Sequence, residues 1–237
     1  MIESEMMFAL LRYELNNEPL SDEIISADPG ILWELYQLSC KHDVSHLVAD
    51  ALMKNHMLPV NSGAMRRFKY EKDKAVYRLG QIENELDAIK DIFNKHKIPH
   101  MLLKGAVIRR LYPEAWMRTS CDIDILVKPS DLNKAVDALK ADRGYTCELI
   151  GELDAQLFAA DGTHTELHFG LLDHGSQDAE RVILDKVWET SVSPFGYTYV
   201  MSDEMMYCYH ISHPIISKPQ PIFATVAGAK TLTLLIT

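Results

Sequence analysis

The stretch Asp122-Ile123-Asp124-Ile125-Leu126-Val127 alternates acidic and β-branched residues and then becomes fully apolar. This alternation is typical of a β-strand. Residues two apart on a strand point to the same face, so we expect Asp122 and Asp124 to project together, roughly 7 Å apart along the backbone. Ile123, Ile125 and Val127 then point to the other face, where we expect a helical layer.

The segments around this strand alternate between strand and helix patterns. His100–Leu103 reads as a buried strand that ends in the turn Lys104-Gly105, and a short helix follows. A second helix starts near Asp131 and is ended by Gly144, because glycine is favoured just beyond a helix C-terminus. Residues 145–150 and 163–171 read as two further strands that are joined by a polar, glycine-containing link.

The regions before and after this core are predicted to be helical. A long helix is expected over 64–95, because Leu79, Ile82, Leu86, Ile89 and Phe93 recur at helical spacing. The pattern predicts an α+β fold class and three regions, namely a helical region over 1–96, a core over 97–190 and a C-terminal helical region over 191–237.

Three carboxylates are the candidate catalytic and metal-binding residues. Two acids on one strand face repel each other unless a cation lies between them, and Mg²⁺ is the ion that best suits carboxylates and nucleotide phosphates. Glu166, on a later strand, is a third acid for the same site. Such a set suits phosphoryl or nucleotidyl transfer with two metal ions. Lys104 and Gly105 supply a charge and backbone amides for phosphate binding.

The order of these motifs resembles the uncharacterised bacterial nucleotidyltransferase family of the polymerase-β-like superfamily. The similarity is sharpest over 99–127, with its Leu-Lys-Gly turn, Tyr-Pro and Arg118, and over Glu166-Leu167-His168-Phe169. The resemblance implies a mixed sheet with helices on one face, flanked by N- and C-terminal helices. It also implies that Asp122, Asp124 and Glu166 hold metal.

The same resemblance implies nucleotide-binding roles for four residues: Lys104, Gly105, Arg118 and His168. Two features depart from the family pattern. Ala106 stands where the superfamily has a phosphate-contacting Ser or a Gly, so Lys104 is the expected substitute. The last 17 residues, 221–237, match no expected helical pattern and are interpreted as a truncated or altered terminus.

The composition excludes several classes of protein. The chain has 237 residues, 47% of them hydrophobic, and a net charge of -10, which disfavours broad nucleic-acid binding. No apolar stretch reaches the length of a membrane helix. Glu3 and Glu5 stand where a secretion signal would carry basic residues. We therefore expect a cytoplasmic protein with reduced cysteines.

The predicted activity is Mg²⁺-dependent transfer of an NMP from an NTP to a hydroxyl acceptor, with ATP as the favoured NTP and Mn²⁺ as an alternative ion. The acceptor is an unknown protein or small molecule. Two alternatives remain open: a non-catalytic nucleotide- or partner-binding module of antitoxin type, and a metal-dependent phosphohydrolase. A zinc site at His42 and His46, which are spaced as metal ligands on a helix, is disfavoured because no third ligand follows.

Overall fold

The structure is a computed structural model that describes residues 2–25, 28–120, 122–172 and 182–216. The chain divides into two compact units. The first comprises the described residues up to Leu79 together with Tyr112–Thr119, and the second comprises Gly80–Leu111 and the described residues from Ser120 onward.

The first unit is helical. Its described helices are α1 (Ile2–Asn16), α2 (Asp22–Ile25), α3 (Leu32–Lys41), α4 (Ser45–Lys54) and the first half of α5 (Gly63–Lys95). Helix α4 is buried on nearly all sides, because its sequence is apolar around most of the helix. The core of this unit includes Leu10, Leu35, Val48, Leu52 and Phe68.

Buried charges in the first unit are paired with lysines. Glu14 and Asp50 are almost inaccessible to solvent, and Lys54 forms an ion pair with each of them, with the Lys54 Nζ–Asp50 Oδ2 distance at 2.9 Å. Lys72 forms a third ion pair, also with Asp50. Because an unpaired buried carboxylate is strongly destabilising, these lysines are what allows two acids inside a helical core.

The second unit is built on one mixed sheet. Its strands are β1 (His100–Leu102), β2 (Asp122–Val127), β3 (Thr146–Ile150), β4 (Asp154–Phe158), β5 (His164–His168), β6 (Val192–Phe195) and β7 (Thr198–Val200). Their order across the sheet is β3-β4-β5-β2-β1-β7-β6. Two neighbouring pairs, β2 with β5 and β1 with β7, are parallel, and the other pairs are antiparallel. The predicted α+β class with a mixed sheet is confirmed.

Helices pack on the sheet from both sides. On one face, Ile123, Ile125 and Val127 of β2 join a core with the second half of α5 and with α7 (Leu132–Arg143). On the other face, Leu126 packs with residues of α8 (Val187–Thr190) and α9 (Asp203–Ile216), among them Tyr209. The helical layer expected on one face is therefore present, and α8 and α9 cover part of the second face in addition.

Most predicted elements have the expected bounds. The long helix expected over 64–95 is α5, and the helix expected from Asp131 is α7. Gly144 follows α7 with φ of +72°, the left-handed conformation that glycine adopts without a steric penalty. The expected strands at 145–150 and 163–171 are β3 and β5. The strand β4 was missed, because the link between them was interpreted as a polar loop.

Two predicted regional boundaries need correction. Residues 191–200, which were expected to be helical, form β6 and β7, because β7 pairs with β1 through His100 and Met101 and so extends the sheet. The N-terminal region was expected to reach residue 96, whereas the second unit starts at Gly80, because Ile82 to Phe93 of α5 pack into the core under the sheet. The terminus at 221–237 lies outside the described residues.

Candidate active site

The candidate site is formed where β2 and β5 run side by side. In their parallel register Asp122 lies opposite His164, Asp124 opposite Glu166, and Leu126 opposite His168. Because alternate residues of a strand share a face, these polar side chains project from the same face of the sheet. Ile123 and Ile125 point to the opposite face and anchor β2 in the core. The register therefore places Asp122, Asp124 and Glu166 on one face, and their catalytic and metal-binding roles stay predictions.

His168 joins the two central carboxylates. Its Nε2 lies 3.0 Å from Oδ1 of Asp124 and 3.4 Å from Oε2 of Glu166. Asp124 is 7% exposed, whereas the Glu166 side chain is 21% exposed. His168 therefore contacts both acids and orients their carboxylates.

The charges in this cluster influence each other. The hydrogen bond from His168 lowers the pKa of Glu166, although partial burial and the charge of Asp124 oppose that shift. Glu166 is therefore ionised at neutral pH. Tyr209, on α9, has its pKa raised well above the usual value by burial and by the negative charges of Asp124 and Glu166. A neutral phenol thus lies within electrostatic reach of the acids.

Two groups of side chains could hold a metal ion. One is Asp124, Glu166 and His168, and the other is Asp122, His164 and Glu166; within each group one possible ligand atom per residue lies within 4.8 Å of the others. The Nε2 atom of His164 is buried and has no hydrogen-bond partner among the described residues. Carboxylate oxygens and imidazole nitrogens are ligands of divalent cations, so these residues could hold one.

The Lys104-Gly105 turn lies directly beside the acidic strand. The Leu103 amide, at the end of β1, donates a hydrogen bond to the Asp124 carbonyl oxygen at 3.0 Å. Helix α6 (Lys104–Ile108) starts there, but it has only five residues, so its dipole contributes little to phosphate binding. The Lys104 side chain lies outside the described part of the structure, and its predicted role remains a prediction.

Ser120 approaches this turn closely. A Cβ atom added at Gly105 would lie 3.4 Å from Oγ of Ser120, so glycine at this position lets the hydroxyl come near the backbone. Arg109, which is 5% exposed, donates a hydrogen bond from Nη2 to the same Oγ at 2.9 Å. A hydroxyl group therefore stands beside the turn although Ala106 carries none.

Two other residues singled out in the sequence belong to the first unit. Arg118 belongs to the segment Tyr112–Thr119 of the first unit, and its nucleotide-binding role stays a prediction. His46 is buried, with Nε2 at 2.9 Å from the Met117 carbonyl oxygen, and burial lowers the pKa of its imidazole. A neutral His46 donating to this carbonyl is a structural element of the helical unit.

Sequence reasoning missed two members of the site. His164 precedes Glu166 by two residues, so the period of a strand already places both on one face. Tyr209 carried no local signal, because it lies on α9, a separate element that follows β5 only after two further strands.

Comparison of the sequence with protein families identifies a match. A family model described as "Uncharacterised nucleotidyltransferase" matches residues 32–217. No curated protein matches the sequence. The solution structure of the antibiotic-resistance factor ANT(2'')-Ia is similar with a TM-score of 0.40 and 12% identity, covering 67% of this chain and 90% of that chain. Within the described residues, no helix is both long and apolar enough to cross a membrane. Because the family model covers most of the sequence, the chain belongs to this family of nucleotidyltransferases, as its motifs predicted.

Proposed function

We propose that the protein transfers a nucleoside monophosphate from an NTP, with ATP favoured, to a hydroxyl group of a protein or a small molecule. The observation that carries this proposal is the convergence of Asp122, Asp124 and Glu166 on one face of two adjacent parallel strands. In the reaction the acceptor oxygen bonds to the α-phosphorus, the bond from that phosphorus to the bridging oxygen breaks, and pyrophosphate leaves. The acceptor proton passes to water.

The three carboxylates would hold Mg²⁺, or Mn²⁺ as the alternative. When bound, the cation supplies positive charge that neutralises the triphosphate and polarises the reacting oxygens. Asp124 is the most deeply buried of the acids and is fixed by His168. Glu166 keeps a low pKa through the same histidine, so it serves better as a ligand and orienting group than as a proton acceptor.

The triphosphate is proposed to lie over the turn at Lys104 and Gly105. Backbone amides, the Lys104 charge and the Ser120 hydroxyl are the groups proposed to contact its oxygens. Because Oγ of Ser120 accepts a hydrogen bond from Arg109, its hydroxyl hydrogen is directed away from that arginine. A hydroxyl with this orientation suits donation to a phosphate oxygen.

The acidic net charge of -10 supports a protein or small-molecule acceptor over a nucleic acid, since phosphate backbones are repelled. We propose that the reaction takes place in the cytoplasm. The described cysteines Cys40, Cys147 and Cys208 are free thiols, as is usual in that reducing compartment.

Incubation of the wild type with each α-labelled NTP, a divalent cation and a cell lysate tests the proposal. We expect label on an acceptor with the wild type and with Asp137→Asn, an exposed acid on α7, and none with Asp124→Asn. Labelling by Asp124→Asn at the wild-type rate would contradict the proposal. Nucleotide binding by the wild type without any labelled acceptor would instead favour the binding module of antitoxin type.

A further inference from the structure

His164 is the first residue of β5 and lies directly opposite Asp122 on β2. Its Nε2 atom is 4.0 Å from Oε1 of Glu166. Asp122, His164 and Glu166 each offer a ligand atom, and the three atoms lie within 4.8 Å of one another. A nitrogen donor therefore stands beside two oxygen donors at the outer end of the acidic cluster.

The ring of His164 is held in place by stacking. Phe158 of β4 lies opposite His164 in the antiparallel register, and the two rings stack with centroids 4.6 Å apart and planes 19° from parallel. Stacking restricts rotation of the imidazole about its side-chain bonds, so the position of Nε2 is set before any ligand arrives. Such preorganisation is what a metal ligand requires.

The environment of the His164 Nε2 atom also points to a ligand. The atom is inaccessible to solvent and has no hydrogen-bond partner among the described residues. A buried polar atom without a partner is costly, and the cost disappears when a cation accepts the nitrogen lone pair. His168 differs in this respect, since its Nε2 lies 3.0 Å from Oδ1 of Asp124.

We infer that His164 is a metal ligand, which together with Asp122 and Glu166 binds a divalent transition-metal ion such as Mn²⁺ in preference to Mg²⁺. Imidazole nitrogen suits transition metals, whereas Mg²⁺ prefers oxygen ligands and retains its water molecules. This inference rests on the proposed function, in which Asp122 and Glu166 hold metal. It adds a ligand and an ion preference that the three carboxylates alone do not imply.

Pulsed electron paramagnetic resonance of Mn²⁺ bound to the wild type, without NTP, tests the ligand directly. We expect coupling to a histidine nitrogen, with the change of pattern that ¹⁵N-labelled histidine produces. The coupling is expected to be lost in His164→Asn and retained in His56→Asn, an exposed histidine of the first unit. His164→Phe is a second variant, because a phenyl ring keeps the stacking on Phe158 but lacks the nitrogen.

Calorimetric titration measures the affinities for Mn²⁺ and Mg²⁺. We expect the wild type to bind Mn²⁺ more than about tenfold tighter than Mg²⁺, and the His164 variants to lose about tenfold or more for Mn²⁺ only, the range typical of lost metal-site residues. Two outcomes overturn the His164 assignment alone. One is carboxylate-dependent metal binding without nitrogen coupling, and the other is coupling that persists in His164→Asn and His164→Phe. A wild type that binds neither ion overturns the proposed function as well.

Discussion

Nε2 of His168 lies 3.0 Å from Oδ1 of Asp124, a carboxylate that is 7% exposed. The same nitrogen is 3.4 Å from Oε2 of Glu166. One imidazole thus positions two acids that belong to different strands, and it holds the pKa of Glu166 below its usual value. The contact holds both carboxylates in one cluster, where they could bind a cation.

Glu166→Gln separates catalysis from binding. The change keeps the size and hydrogen bonding of the side chain but removes its charge, so the acceptor oxygen would lose the carboxylate that is proposed to orient it. We expect nucleotide binding within a few-fold of the wild type and transfer reduced by about 10² or more, as is usual for a lost catalytic group. Single-turnover labelling and calorimetry measure the two quantities.

The control for Glu166→Gln is Glu148→Gln, an exposed glutamate on β3, which should transfer at the wild-type rate. Transfer by Glu166→Gln at a similar rate would show that Glu166 has been given the wrong role.

Removal of divalent ions should weaken nucleotide binding. Asp122, Asp124 and Glu166 form a negative surface that repels a triphosphate unless a cation lies between them. We therefore expect calorimetry to show much weaker binding of ATP in EDTA than with Mg²⁺ or Mn²⁺. Equal affinity in the two conditions would mean that the acids do not face the phosphates.

The acidic pair was predictable because it depends only on the period of a strand. Asp122 and Asp124 lie two apart on β2, and Glu166 and His168 lie two apart on β5, so each pair must share a face. The parallel register that brings the two pairs side by side could not be predicted from the local sequence. It results from the packing of Ile123, Ile125 and Leu167 in one core, which depends on residues far apart in the chain.

The missed elements were short or weakly patterned. Strand β4 has only Ala155 and Leu157 as buried apolar residues, and Gly151 precedes it, so its alternation was too brief to distinguish from a loop. Strand β7 is stabilised by pairing with β1, and β6 pairs with β7 at the edge of the sheet. Their residues are mostly exposed, and a hydrophobic pattern therefore gave little signal.

Lys104→Ala tests the charge at the turn. If Lys104 compensates for the serine that Ala106 replaces, its loss should weaken NTP binding by more than about tenfold, the equivalent of roughly 1.4 kcal/mol. Lys134→Ala, on the exposed side of α7, is the matched control. An unchanged Kd for Lys104→Ala would mean that the turn amides and Ser120 are sufficient.

Ser120→Ala tests the hydroxyl beside Gly105. The variant removes the hydroxyl that is proposed to donate to a phosphate oxygen, and it also removes the Oγ that accepts a hydrogen bond from Arg109. We expect KM for the NTP to rise about three- to tenfold, with kcat changed less, since one hydrogen bond to a charged group contributes about 1 kcal/mol or somewhat more. Steady-state kinetics compare it with Ser130→Ala, an exposed serine; equal KM values for the two variants would contradict the assignment.

Glu14 makes the stability of the protein depend on pH. Burial, followed by the neighbouring Asp50, raises the pKa of Glu14 from 4.5 to about 7, although Lys54 opposes the shift. Between these two values the folded state holds a proton on Glu14 that the unfolded state has released. The contribution of Glu14 to stability is therefore complete below about pH 4.5 and is lost as the pH rises through about 7.

Glu14→Gln should remove this dependence, because the amide does not titrate. Urea unfolding at about pH 5 and about pH 8 measures it: we expect the wild type to lose on the order of 1–2 kcal/mol more than the variant between these conditions. Glu18→Gln, an exposed glutamate nearby, should follow the wild type. If Glu14→Gln and the wild type lose the same stability between the two pH values, then Glu14 is ionised in the folded protein throughout, and Lys54 rather than burial controls its charge.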